Sequence, residues 1–152
     1  MARTEFETPV IFGVLCDGRP AAPRGMERRI RARIPEAVLL PFQVEPRHLK
    51  NVLRCMRLMD VEGLIVAGGH RRRMARHITS LDSSARAAAL VDVIARSARG
   101  FRGYCAEEIV RSRDSYKQYK TNLRRKGRSS DKVRQRTAEV TVELLTAHRQ
   151  FK

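Results

Sequence analysis

Short, continuous apolar runs separated by glycine and proline dominate the first two thirds of the chain. They cover residues 9–15, 37–42, 64–67, 90–95 and 101–105. Runs of this length, bounded by turn residues, are typical of buried strands. The pattern predicts three successive strands of a sheet, the second of them ending or lying at an edge because it contains Pro41, followed by a hairpin from the last two runs.

Apolar residues at helical spacing separate these strands. Met26, Ile30 and Ile34 form the apolar stripe of a short basic helix that Pro35 ends. A second helix opens at Pro46, and its predicted inward face is Leu49, Val52, Leu53, Met56 and Met59. Because this helix joins two runs of strand character, it predicts a β-α-β unit with a right-handed parallel crossover. Asp82, Ser83 or Ser84 is expected to cap a third helix.

The character of the sequence changes at Ala106. A long helix is predicted as far as Leu123, followed by a basic break at 124–130 and a final helix capped by Ser130 or Asp131. The final helix has an apolar seam at alternating steps of four and three, formed by Val133, Thr137, Val140, Leu144, Ala147 and Phe151. This segment predicts a basic helical hairpin that either covers the sheet or pairs with a second copy or a partner protein.

These elements together predict an α/β fold, a three-layer, mostly parallel sheet flanked by helices, with a C-terminal basic helical hairpin. We expect one domain at 1–105 and the hairpin at 106–152. A chain of 152 residues is long enough for one sizeable core. It has no apolar run of membrane length and no secretory leader pattern, so we expect a soluble, cytoplasmic protein. The three cysteines, Cys16, Cys55 and Cys105, have no metal-binding spacing, which favours reduced thiols and no metal site.

The formal net charge of +16 makes polyanions candidate partners. The densest basic region surrounds the predicted hairpin tip and includes Arg124, Arg125, Lys126, Arg128 and Lys132. A tip of this kind contacts phosphates without reading bases, so it predicts nucleic-acid or ribonucleoprotein binding. The ordinary alternative is that charges at helix ends and loops are simply solvated.

A second basic cluster follows the run at 64–67. Gly68 and Gly69 provide a tight turn, and the cations of residues 70–73 come directly after it. The carboxyl ends of parallel strands are where open α/β sheets bind their ligands, so this cluster is a candidate binding site. A solvated basic loop is the alternative.

The order of these blocks resembles a known family. The stretches Val44-Glu45-Pro46-x-x-Leu49-x-x-Val52 and Gly63-x-Ile65-Val66-Ala67-x-Gly69-His70-Arg71 resemble the substrate-binding domain of shikimate dehydrogenases. Leu81-Asp82 and Leu90-Val91-Asp92 resemble two later segments of the same domain. The resemblance extends over residues 9–108 and is stronger in spacing than in side-chain identity. It implies the fold of that domain and a ligand such as shikimate or quinate.

The resemblance also implies positions for the family's functional residues, and most of them have changed. The lysine that holds a substrate hydroxyl falls on Arg71, which stays protonated and is a poor general base. A substrate-binding asparagine falls on Asp92, and the catalytic aspartate falls on Glu107 or Glu108. The strand's asparagine and threonine fall on Ile65 and Ala67. The carboxylate-binding serines fall near Arg19, in a stretch without hydroxyl groups.

The sequence contains no Gly-x-Gly-x-x-Gly motif of a nicotinamide-binding domain. We therefore expect a degenerate substrate-binding domain, without cofactors, whose ligand-binding residues are Arg71, Asp92, Glu107 and Arg19. Arg71 is expected to pair with a ligand carboxylate. Any catalysis by Arg71 and Glu107 would be vestigial and would require a separate nicotinamide-binding partner. The alternative is that Arg71, Asp92 and Glu107 form only a vestigial ion-pair cluster.

Overall fold

A computed structural model describes residues 8–18, 23–113 and 129–151. The strands are β1 (Val10–Cys16), β2 (Ala37–Gln43), β3 (Val61–Val66), β4 (Val93–Ser97) and β5 (Gly100–Tyr104). The helices are α1 (Met26–Arg31), α2 (Val52–Leu58), α3 (His70–Met74), α4 (Ser83–Ala88), α5 (Ala106–Arg113) and α6 (Ser129–Thr146). Two 3-10 segments, Pro46–Asn51 and Ala147–Phe151, precede α2 and follow α6.

In the described residues the strands form one sheet in the order β2-β1-β3-β4-β5. β1 is parallel to β2 and β3, whereas β4 is antiparallel to both β3 and β5. Four of these five strands therefore point in the same direction. The predicted strand hairpin is confirmed as β4 and β5. The predicted position of the strand that contains Pro41 is also confirmed, since β2 lies at one edge of the sheet.

The strand β3 is at the centre of this order, as predicted. It begins at Val61, three residues earlier than the sequence indicated, and Ala67 lies just beyond it. All six of its residues are buried. Side chains that alternate along β3 enter different cores, since Ile65 packs on one face of the sheet and Leu64 and Val66 on the other.

Helices cover both faces of the sheet, which confirms the α/β class and the three-layer arrangement. On one face, Met26 and Ile30 of α1 and Leu145 of α6 join a core with Phe12 and Val93. The core of the other face is formed by side chains of the strands, of the first 3-10 segment and of helices α2, α3 and α4, and it includes Leu15, Leu49, Val52, Met56, Leu64, Met74, Ala85 and Ile94.

Two helix predictions need correction. The predicted inward face of the second helix is right at Leu49, Val52 and Met56, but Met59 is 52% exposed because α2 ends at Leu58. The cations after Gly69 form the short helix α3 and not a basic loop, and His70 at its start is fully buried.

The apolar seam predicted for the last helix is right at Val140 and in part at Leu144, which packs against the core, but wrong at Ala147. The buried residues of α6 are Val140, Thr141, Val142, Leu145 and Thr146, whereas Ala147 is exposed. α6 packs against β3, β4, α1 and α5. A helix that lies on a sheet buries a broader face than the two-position seam of a coiled coil, and this explains the difference. The described part of the tail thus covers the sheet, and residues 114–128 lie outside the described residues.

The end of the chain is held to the sheet by a buried carboxylate. Glu62 of β3, whose side chain is 5% exposed, accepts hydrogen bonds from Arg96 Nε at 2.5 Å and from Arg149 Nε at 3.0 Å. Because Glu62 is buried, loss of both arginines would leave a buried charge without a partner, which is strongly destabilising. This contact joins β3, β4 and the final 3-10 segment near the amino end of β3.

Candidate functional site

A cleft of about 930 Å³ lies at the carboxyl end of β3. Its apolar lining includes Ile65, Val66 and Met26, and one wall is formed by α6. The polar side chains around it are those of Arg24, Arg29, Arg71, Asp92, Glu107, Arg134, Gln135, Thr137 and Thr141. The position agrees with the sequence prediction, because the cleft begins where a central parallel strand ends.

The glycine turn after β3 directs the chain into α3 and places Arg71 beside the cleft. Gly68 has a φ of 59°, a left-handed conformation that favours glycine. Arg73 in the same helix pairs with Asp17 at 3.5 Å, which ties α3 to the end of β1. The backbone carbonyl of Arg71 accepts the Val91 N–H at 2.9 Å, so Arg71 is held next to the segment that carries Asp92.

Three of the four predicted ligand-binding residues come together. Arg71 Nη2 lies 3.3 Å from Glu107 Oε2 and 3.6 Å from Asp92 Oδ2. The side chain of Arg71 is 29% exposed, that of Glu107 35% and that of Asp92 12%. These residues, from α3, α5 and the start of β4, form a charged cluster that faces the cleft.

Asp92 also fixes the start of α5. Its carboxylate accepts the Ala106 N–H at 2.7 Å and the Glu107 N–H at 3.3 Å. Burial raises the pKa of the Asp92 carboxyl above its ordinary value of 3.8, while the two N–H groups and the charge of Arg71 act in the opposite direction. Burial similarly raises the pKa of the neighbouring Cys105 thiol, which therefore stays protonated.

The geometry of the cluster changes the expected mode of ligand binding. One nitrogen of Arg71 already faces two carboxylates, so a ligand carboxylate placed there would meet two negative charges. Arg71 Nε is buried without a hydrogen-bond partner. A neutral hydroxyl group, which both donates and accepts, suits this mixture of guanidinium and carboxylate groups better than an anion does.

His70, next to Arg71 in the sequence, has a structural position. Its Nε2 lies 2.6 Å from the carbonyl oxygen of Val44, and because a carbonyl only accepts, Nε2 carries the proton and donates. The bond ties the start of α3 to the segment after β2. Among the described residues, no group of three or more His, Cys, Asp or Glu side chains is placed to hold a metal ion.

Sequence reasoning missed three arginines of the cleft. Arg24 precedes α1, Arg29 belongs to α1 and Arg134 to α6. None of the three has an ion pair with a carboxylate among the described residues. Arg29 follows Met26 by three positions, about one helical turn, and therefore lies beside the buried stripe of α1. This spacing was the sequence signal that could have identified Arg29. The other two depend on the tertiary arrangement.

Of the remaining predicted site residues, the structure describes one, Lys132. Arg19, Arg124, Arg125, Lys126 and Arg128 lie outside the described residues. Lys132 is exposed on α6 and does not line the cleft. No helix of the described segments is both long and apolar enough to cross a membrane.

Solved structures of shikimate dehydrogenases share part of this architecture. A shikimate dehydrogenase from Peptoclostridium difficile aligns with a TM-score of 0.58 and 14% identity over 64% of this chain. The Listeria monocytogenes shikimate 5-dehydrogenase in complex with shikimate and NAD aligns with a TM-score of 0.57 and 19% identity over 70% of this chain. The chain has the shikimate dehydrogenase fold. The resemblance seen in the sequence is thereby confirmed at the level of the fold.

The shikimate dehydrogenase fold is matched only in part. The chain spans 38% of the Peptoclostridium protein and 37% of the Listeria protein. A chorismate mutase/shikimate 5-dehydrogenase fusion protein from Clostridium acetobutylicum aligns over 87% of this chain and 52% of its own length, with a TM-score of 0.61 and 14% identity. No protein-family model matches the sequence, and no curated protein sequence matches it.

Proposed function

We propose that this chain binds a small hydroxy-carboxylate, such as shikimate or quinate, in the cleft at the end of β3. The observation that carries the proposal is that one cleft combines a charged cluster suited to a hydroxyl group with arginines that have no carboxylate partner. A molecule with a hydroxyl at one end and a carboxylate at the other satisfies both. The shikimate dehydrogenase fold, seen in a protein solved with shikimate and NAD, supports the same ligand class.

The hydroxyl group binds at Arg71, Asp92 and Glu107. It accepts a hydrogen bond from the guanidinium group of Arg71 and donates to Glu107, the more exposed of the two carboxylates. Asp92 remains occupied by the N–H groups at the start of α5 and holds Glu107 in place. The cluster thus orients the ligand without requiring a change in the backbone.

The carboxylate binds on the α1 side, at Arg24 and Arg29. An arginine presents a planar fork of donors that matches a carboxylate with two parallel hydrogen bonds. Arg29 is half-buried, so its charge is partly shielded from solvent and its interaction with an anion is stronger than at an exposed position. The pair therefore takes the place of the hydroxyl groups that are absent near Arg19.

Binding is proposed without autonomous NADP-dependent oxidoreduction. Arg71 stays protonated and so does not exchange a proton with the substrate hydroxyl during hydride transfer. The sequence contains no Gly-x-Gly-x-x-Gly motif, and the chain spans less than two fifths of the Peptoclostridium and Listeria dehydrogenases. The function is that of a ligand-binding domain.

Isothermal titration of the purified chain with shikimate and quinate tests this function. We expect saturable binding, and we expect Arg29→Gln to weaken it about tenfold or more because a charge-assisted hydrogen bond contributes about 1.5–3 kcal/mol. Arg28→Gln is the matched control, since it removes the same charge from an exposed neighbouring position of α1. Absence of heat and of any thermal shift at millimolar ligand would refute binding, and NADP-dependent turnover by the chain alone would refute the loss of catalysis.

A further inference from the structure

The cleft carries more positive charge than one ligand carboxylate neutralises. Among the described residues, four arginines and two carboxylates line it, so this part of the lining has a formal charge of +2. Both carboxylates are already paired with Arg71. A hydroxy-carboxylate with a single negative charge leaves one positive charge of the lining without compensation.

The uncompensated charge lies on two different walls. Arg24 and Arg29 belong to the α1 side, where the proposed carboxylate binds. Arg134 is on α6, and it has no ion-pair partner among the described residues. The α1 side is therefore sufficient for the carboxylate, and Arg134 faces the cleft as a second, separate anion-binding group.

A hydroxyl group on the same wall has no partner either. Thr137 follows Arg134 by three positions, so the two side chains share one side of α6, and both line the cleft. Thr137 Oγ1 is buried and makes no hydrogen bond, although the Thr137 carbonyl accepts the Thr141 hydroxyl at 2.8 Å. A buried hydroxyl without a partner is costly, and rotation about the Thr137 χ1 angle toward the cleft would let it donate to a ligand oxygen.

We infer that the ligand is a phosphate ester of a hydroxy-carboxylate, with its phosphate on α6 at Arg134 and Thr137. This inference rests on the proposed function and adds the substrate class. A phosphate has three terminal oxygens and a charge near −2, so it engages a guanidinium fork and a hydroxyl donor at the same time. The cleft volume of about 930 Å³ lies toward the upper end of the range of about 300–1,000 Å³ for small-molecule sites, which leaves room for the ester.

Calorimetric titration of the full chain with matched pairs of compounds tests the inference. Shikimate 3-phosphate is compared with shikimate, and 3-phosphoglycerate is compared with glycerate. The second pair is included because the flexible skeleton of 3-phosphoglycerate does not fix the position of its phosphate. We expect the phosphate ester of at least one pair to bind about tenfold more tightly or better. Arg134→Gln is expected to remove this advantage while changing the affinity for the unphosphorylated compound by less than about twofold.

Lys132→Gln is the control for the overall field of the protein. It removes one positive charge from the same helix, and Lys132 is exposed as Arg134 is, but unlike Arg134 it does not line the cleft. Retention of the phosphate advantage in this variant supports the inference, whereas an equal loss in both variants overturns it. Equal affinity within both pairs also overturns it and leaves the proposed function standing. Absence of binding by all four compounds overturns both proposals.

Discussion

Asp92 belongs both to the cleft and to the framework that supports it. The same carboxylate faces Arg71 and accepts two backbone N–H groups at the start of α5. Its burial works against the charged form, and the raised pKa shows that burial outweighs these favourable contacts. The residue is thus held in a position that stabilises α5 at the cost of a partly desolvated charge.

The raised pKa gives a prediction for Asp92→Asn. A carboxyl whose pKa is higher in the folded state binds its proton more tightly when folded, so its stabilising contribution is complete below pH 3.8 and is lost as the pH rises through the folded pKa. The free energy of unfolding of the original protein, relative to Asp92→Asn, should therefore decrease with rising pH. Urea unfolding of both proteins between about pH 4 and pH 7 measures this difference. A difference that increases with pH would mean that Arg71 and the N–H groups dominate.

At this scale the sequence indicated the charged cluster of the cleft but not the residues that α6 contributes to it. The resemblance to the shikimate dehydrogenase family implied Arg71, Asp92 and Glu107 as site positions, and the structure brings the three side chains together. The alternative stated from the sequence, an ion-pair cluster of these three residues, agrees with the geometry in which Arg71 faces both carboxylates. Arg134 was missed because its place in the cleft depends on how α6 lies on the sheet.

The element that most affects the cleft is α6. Its first half contributes Arg134 and Thr137 to the wall, and its second half contributes Val140, Val142 and Leu145 to the core. Leu145 approaches β3 closely where Gly63 has no side chain, because a Cβ atom there would lie 2.6 Å from Leu145 Cδ2. This contact fixes the rotation of α6 and therefore the direction of the wall residues.

Neighbouring leucines of α6 provide a direct test of that rotation. We expect Leu145→Ala to lower the free energy of unfolding by about 2–5 kcal/mol, because Leu145 is 2% exposed and fills the core under Phe12 and Val93. Leu144→Ala, which removes the same atoms at a half-buried position, should cost clearly less. Urea denaturation compares the two. A larger loss for Leu144→Ala would favour the seam that the sequence alone suggested.

Strands were predicted more accurately than helices for a physical reason. A short apolar run bounded by glycine or proline specifies a buried strand almost by itself, and β1, β2 and β3 were located to within a few residues. The buried side of a helix depends on what it packs against. The alternation in α6 fits a coiled-coil seam and a sheet-facing surface nearly equally well, and only the neighbouring elements distinguish them.

Across the whole molecule, the final helix and the strands share one core. Val140, Val142 and Leu145 pack with residues of β1, β3, β4 and α1, and Arg149 pairs with the buried Glu62. The sequence predicted a domain at 1–105 and a helical hairpin at 106–152, and this boundary marks a change in amino-acid composition. In the packing of the described residues, the two parts depend on each other.

A truncation after Arg113 tests this dependence. It removes the α6 side chains from the core of one sheet face and leaves Glu62 with Arg96 as its remaining partner among the described residues. We expect the shortened chain to lose its cooperative urea transition, followed by far-ultraviolet circular dichroism. A truncated chain that still unfolds cooperatively would show that residues 1–113 fold independently of α6 and the final 3-10 segment.

Helix α6 is both a wall of the cleft and a part of the core. Ligand binding in the cleft is therefore expected to raise the melting temperature of the protein. A compound that touches Arg134 or Thr137 binds the folded chain and not the unfolded one, and at a hundredfold excess over its dissociation constant it adds about 2.7 kcal/mol to the free energy of unfolding. A melting-temperature screen of metabolite libraries therefore reports binding without any assay for a reaction, and loss of the shift in Arg134→Gln identifies the compounds that bind at this wall.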